Sequence, residues 1–207
     1  MKRLTVILGF ACLLLLSCRQ TAPAPESPST PTPTPITEPT ATPVDGASLL
    51  EAWQVARPVI EPWADDAQMS EEFACQVVLA PEGRCNEWYG VLVSAKQGKV
   101  AELVVAPGRA ASVSPINAPL ERYREAAFSP DGMLDSPEAV RAAWGWLGTK
   151  KLTERDTRLR GLALRSGPGA ANLCGISPAY QVTFTAPQGS VCIDPATTRV
   201  VANTYGK

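Results

Sequence analysis

Histidine is absent from this 207-residue chain. Without an imidazole there is no Ser-His-Asp or Cys-His relay, and no His-ligated metal site. Aromatic residues are sparse, at 6%, and neither charge predominates: 19 Lys and Arg stand against 20 Asp and Glu, a net charge of −1. A nucleic-acid partner would demand a surplus of cations to offset many phosphates, so nucleic acid is not expected. None of the six cysteines forms a Cys-x-x-Cys pair, which removes zinc ribbons and thioredoxin-like redox sites. Gly167-Pro168-Gly169 lacks the Lys and the Ser or Thr of a phosphate loop and reads as a mobile loop. No cofactor and no metal is therefore expected. The strongest apolar run, Leu4 to Leu16, is 13 residues long, short of the roughly 20 that span a bilayer as helix.

What is present begins with an address. Lys2 and Arg3 precede that apolar run, as in the n-region and h-region of an export signal. Leu15-Leu16-Ser17-Cys18 resembles the lipobox of bacterial lipoproteins. The resemblance implies that residues 1–17 are a signal peptide, that the Cys18 thiol carries a diacylglycerol, and that the chain sits at the cell membrane facing the extracytoplasmic side. Two acyl chains anchor stably where one is marginal. Residues 18–46 then read as a disordered tether: Arg19 to Gly46 holds eight prolines and seven threonines in 28 residues, with no aromatic side chain.

From Ala47 the pattern becomes that of a folded α+β chain. Leu49, Trp53, Ala56, Ile60, Trp63 and Ala67 form a helical stripe. Pro58 and Pro62 interrupt it, which predicts a kink or two short helices around Arg57. Phe73, Cys75, Val77 and Leu79 alternate as a strand; Glu87 to Ser94 and Lys99 to Ala106 follow as two more, joined at Gln97-Gly98. Residues 47–110 make a first helix-then-strands unit. Residues 111–134 read as a connector with a short helix from Pro119 to Phe128. In residues 135–207 the order repeats. Ser136 is placed to cap a helix with Pro137 in its first turn and Val140, Ala143, Trp144 and Leu147 on its buried side, stopping at Gly148. Strands then read at 158–164, 179–185, 189–194 and 199–204.

Leu134-Asp135-Ser136-Pro137-Glu138-Ala139 before a helix resembles the start of a PepSY-like repeat, and so do Tyr180-Gln181-Val182-Thr183-Phe184 and the run Val191 to Val200. The resemblance covers Asp135 to Lys207; Pro195 and Thr198 depart from the family's strand-ending turn. It implies two helix-plus-antiparallel-sheet repeats, PepSY-like or cystatin-like in outline, in a module that inhibits peptidases or restrains a partner.

In an exported chain the four cysteines of the folded part, Cys75, Cys85, Cys174 and Cys192, are expected as disulfides. Three pairings are possible. Cys75 and Cys85 flank a turn near Ala80, and local pairing, with Cys174 joined to Cys192, is the expectation. Asp65-Asp66 and Glu71-Glu72 are adjacent acids whose side chains diverge, so they read as solvated ends and not as acid-base pairs. Asp131, Asp135 and Glu138 match no calcium loop and read as turn and capping residues. Charge is uneven: Ala47 to Gly90 carries two basic and eight acidic residues, whereas 135–207 carries nine and five, with Lys150, Lys151, Arg155, Arg158, Arg160 and Arg165 close together. One reading is a basic surface for an anionic partner or lipid headgroup; the favoured one is complementarity between the halves, or ordinary exposed faces.

The function expected is a non-enzymatic binding or inhibitory module with a protein or peptide partner in the cell envelope. Its candidate contacts are Tyr89, Val91 and Val93, on a sheet face opposite the helices, and Trp146, which falls off its helix stripe. The alternatives are a histidine-free envelope hydrolase using carboxylates and a structural or adhesive surface protein.

Overall fold

The computed structural model describes residues 46–205 apart from 77, 80, 81, 107 and 109. The expected signal peptide, Cys18 and the tether up to residue 45 lie outside the described residues.

Ser48 opens the first element. Its hydroxyl accepts the Glu51 N–H at 3.3 Å while the Glu51 carboxylate accepts the Ser48 N–H at 2.9 Å, a reciprocal capping box. Helix α1 (Leu49–Trp63) buries Leu49, Ala52, Trp53, Ala56 and Ile60. It is one helix with Pro58 and Pro62 inside it, which sets aside the alternative of two short helices around Arg57. The prolines lie four residues apart and both are exposed, so the carbonyls deprived of a donor are on the solvent side, where water serves them.

Six strands follow: β1 (Gln68–Cys75), β2 (Val78–Leu79), β3 (Arg84–Cys85), β4 (Trp88–Ser94), β5 (Lys99–Val105) and β6 (Ser112–Ile116). After them come α2 (Leu120–Arg124), β7 (Ala127–Phe128), α3 (Ser136–Thr149), β8 (Leu159–Arg165), α4 (Gly167–Cys174), β9 (Ala179–Phe184), β10 (Gly189–Ile193) and β11 (Val200–Asn203). Several elements differ from the expectation: the short helix expected to Phe128 ends at Arg124, with Ala127–Phe128 forming β7, and the strand expected from Phe73 to Leu79 ends at Cys75. The connector contains β6, a further strand of the sheet, and Gly167-Pro168-Gly169 begins α4 where a mobile loop was expected.

The main sheet runs β11-β10-β9-β8-β1-β4-β5-β6, with β7 also pairing β1. Every pairing is antiparallel. The order is mirrored about the β1–β8 contact: a helix followed by a four-strand meander leads outward on each side. The halves thus share one continuous sheet, joined where Glu72, Phe73 and Ala74 pair Arg165, Leu164 and Ala163. The remaining strands, β2 and β3, form a separate two-stranded ribbon.

Alternation along the strands divides their side chains between two faces. The inner face supplies Met69, Phe73, Trp88, Leu92, Leu103, Leu164, Tyr180, Val182, Phe184 and Ile193 to a core that α1 and α3 complete. Gly90 belongs to this face because a Cβ there would stand 2.1 Å from Met69 Cε.

The N-termini of α1 and α3 meet. Asp135, not Ser136, is the N-cap of α3, in a capping box with Glu138. Ser136 is instead the first helical residue, and its hydroxyl accepts the Leu49 N–H at 2.9 Å and donates to the Gly83 carbonyl at 2.8 Å. Asp135 Oδ1 also accepts the Leu50 N–H at 3.0 Å. The start of α1 is thereby capped in part by the residues that open α3, and the acids Glu51, Asp135 and Glu138 meet two positive dipole ends. At its far end α3 continues past Gly148 to Thr149.

Both expected disulfides are present, Cys75–Cys85 and Cys174–Cys192, with Cα separations of 5.8 and 5.5 Å. Their setting differs from a simple hairpin. Cys75 faces Trp88 across β1 and β4, whereas Cys85 pairs Val78 in the small ribbon. Cys174 lies in the last turn of α4 and is tied to β10.

Candidate functional site

The sheet's outer face carries two patches of apolar packing. Tyr123 of α2 covers Val91, Val93 and Val100. Cys174 of α4 lies with Ala179 and Cys192. Val91 and Val93 are accordingly buried, 8% and 2% exposed, which corrects their expected availability to a partner. Tyr89 is half-buried; burial and its 3.0 Å bond to Glu102 raise its pKa above the ordinary value. Trp146 is half-buried on the helix side, where its ring lies 5.7 Å from that of Tyr205 and 5.4 Å from Lys150 Nζ. Those contacts are internal, so its position off the stripe has a structural account. Burial also pushes the Tyr205 phenol up to about 12.

Between the two covered patches a row crosses the sheet in register: Tyr89 pairs Ala74, Ala74 pairs Ala163, and Ala163 pairs Gln181. Two alanines at its centre keep this row low, so it forms a trough. Gln181 is held at 3.2 Å by Ser190, which also contacts Thr183 at 3.1 Å.

A cleft of about 270 Å³ opens on this face. Its floor is a bulge in β1: Ser70 pairs Val91 and Phe73 pairs Gly90, so Glu71 and Glu72 are inserted with no partner on β4. The bulge falls where the other edge of β1 passes from β7 to β8. Glu71 adopts φ 59°, a left-handed conformation costly for a side chain that is not glycine, and its carbonyl accepts the Ser166 N–H at 2.7 Å. Glu71 pairs Arg122 of α2 at 2.9 Å, and Glu72 pairs Arg165 of β8 at 2.7 Å. The start of α4, Pro168 to Ala170, forms another wall.

The first turn of α4 has few donors to spare. Ser166 N–H is taken by Glu71, Gly167 N–H donates to Ser177 Oγ at 2.7 Å, and Pro168 has none. The Gly169 N–H is left without a helical acceptor, since the first N–H groups of a helix have none. Arg165 Nε is buried without an acceptor.

Other acids have internal work. Asp66 accepts from the Ser94 hydroxyl and, at 2.8 Å, from the Lys96 N–H; Asp65 pairs Lys96 Nζ at 2.9 Å. Asp131 takes Trp53 Nε1 at 3.1 Å, together with Arg57 and Ser129. Burial alone would raise its pKa, but the bonds from Ser129, Arg57 and Trp53 hold it below the ordinary carboxylate value. Asp65, Asp66 and Asp131, with Trp53, Arg57 and Ser129, line a second cavity of about 320 Å³ beside the end of α1. A third, of about 410 Å³, is open and bounded mainly by Met133, Ile176, Pro178 and Pro195. Among the described residues no three His, Cys, Asp or Glu gather as a metal would require.

From sequence alone Glu71 and Glu72 read as a solvated pair. The signal available was two consecutive acids inside an alternating strand, which is how a bulge reads. For α4 it was Ser166 before Gly-Pro-Gly, a helix start with proline in the first turn. No protein family, no curated protein and no solved structure matches this chain.

Proposed function

We propose that the chain is a bacterial lipoprotein held at the extracytoplasmic side of the membrane through Cys18, and that its folded part binds or inhibits a protein or peptide of the cell envelope without catalysing a reaction. On this reading the two helix-led meanders are PepSY-like repeats. The observation that carries the proposal is the low-relief row through Tyr89, Ala74, Ala163 and Gln181, in which Tyr89, Ala74 and Gln181 are half-buried and Ala163 is buried, between the patches packed under α2 and α4. Two disulfides support an oxidising compartment, where such crosslinks persist.

A carboxylate-based hydrolase has less support. General acid-base catalysis places two titratable groups so that one is held protonated and the other ionised around a reacting atom. Glu71 and Glu72 each face an arginine of their own. Asp65 and Asp66 serve the Ser94–Lys96 turn.

The test is site-specific photocrosslinking in intact cells. A photoreactive residue at Gln181 or Tyr89 should give a discrete adduct, and one at Val55, exposed on α1, should not. Equal labelling from both faces, or turnover of an envelope polymer abolished by Glu72→Gln, overturns the reading.

A further inference from the structure

We propose that the cleft between α2 and α4 binds a small zwitterion, a molecule with a carboxylate and an ammonium group on neighbouring atoms as in an α-amino acid. The site lies beside the trough and does not depend on a macromolecular partner docking there.

The charges of the cleft make the first argument. Two guanidinium groups and two carboxylates line it, paired as Arg122–Glu71 and Arg165–Glu72. A simple anion drawn to the arginines meets the glutamates, and a simple cation meets the reverse. A zwitterion satisfies both signs at once, placing its carboxylate on the arginines and its ammonium on the glutamates.

Opening the pairs costs little. Their side chains are 36% to 63% exposed, and ion pairs in that setting contribute about 0–1 kcal/mol. The ligand's carboxylate also finds the positive end of α4, where Gly169 lines the cleft. An Arg-carboxylate contact across two N–H groups is among the strongest and most directional polar interactions. The alignment is built in by the Glu71 backbone, held at φ 59° by the Ser166 N–H. Size agrees: a volume of about 270 Å³ falls just under the roughly 300–1,000 Å³ of sites for drug-sized ligands.

The test is a titration of the full-length, ¹⁵N-labelled protein in detergent with each of the twenty proteinogenic amino acids to roughly 10 mM, above a 1 mM dissociation constant. At least one should shift the Ser166, Gly169 and Ala170 amides saturably. Acetate and methylammonium, each alone at the same concentration, should not. Arg165→Gln and Glu72→Gln should each weaken binding about tenfold or more, and Lys96→Gln should leave it unchanged. Should Arg165→Gln fail to fold, Arg122→Gln, on the exposed side of α2, gives the same readout. Equal shifts with acetate mean an adventitious ion only and overturn the proposal, as does the absence of a saturable shift at these amides with all twenty. A crosslinked envelope partner that persists in Arg165→Gln would keep the trough reading while this one stands or falls on the titration.

Discussion

Ser136 is fully buried, and its one hydroxyl serves two backbone groups, the Leu49 N–H and the Gly83 carbonyl. Removing it leaves both without a partner in an apolar setting, at about 1–3 kcal/mol for each stranded group less what relaxation recovers. Ser136→Ala should therefore lose about 2–4 kcal/mol in urea unfolding; a loss under about 0.5 kcal/mol would mean that water or a neighbour replaces the hydroxyl. Asp66 gives a residue-level prediction in pH. The Ser94 hydroxyl, first, and the Lys96 N–H hold its carboxyl below the ordinary 3.8. The Ala196 N–H and the Thr197 hydroxyl do the same for Asp194. A carboxyl whose folded pKa is depressed adds stability that is complete above its unfolded pKa and drains away as pH falls through the folded value. Asp66→Asn should thus destabilise at about pH 7, with the difference from the parent protein shrinking toward about pH 3. A difference constant with pH would assign the effect to the lost geometry alone.

At the scale of elements, the disulfides enclose unequal stretches, separated by 10 and 18 residues in sequence. If they act by restricting the unfolded chain, each contributes roughly 2–4 kcal/mol, and the longer loop about 0.5 kcal/mol more. Cys174→Ala with Cys192→Ala should then lower the urea midpoint slightly further than the corresponding pair at Cys75 and Cys85. Helices α1 and α3 are legible in the sequence because their apolar residues recur every three or four positions. Strands β4, β5, β9 and β10 are legible because theirs alternate between turn residues. The strand β6 is not: Ser112, Ser114 and Pro115 carry no apolar alternation, and the segment is extended because β5 offers it an edge. The outer-face expectation for Val91 and Val93 fails for a related reason, since alternation gives the face but not what lies upon it, and α2 covers that patch. The cleft is less legible still. It needs Glu72 and Arg165 side by side, which only the β1–β8 pairing accomplishes across the chain.

For the whole molecule, the continuous sheet predicts one cooperative unfolding event. Trp53, Trp63 and Trp88 report on one side of the β1–β8 contact, and Trp144 and Trp146 on the other. Single-side Trp→Phe variants should show coincident urea transitions; two separated midpoints would mean that the sides unfold independently. Anchoring is tested on the full chain: Cys18→Ala should lose the acyl mass and move to soluble fractions or accumulate as precursor, and an unmodified mature N-terminus elsewhere would end the lipoprotein reading. The mirrored strand order has a consequence in mass action. A chain carrying only α1 through β6 would leave β1 as an open edge, and two such chains could close it by pairing β1 with β1, an association that dilution reverses. Having both first strands on one polypeptide makes that closure intramolecular, with an effective concentration set by the intervening chain. The stability of the sheet is then the same for a single copy as for many.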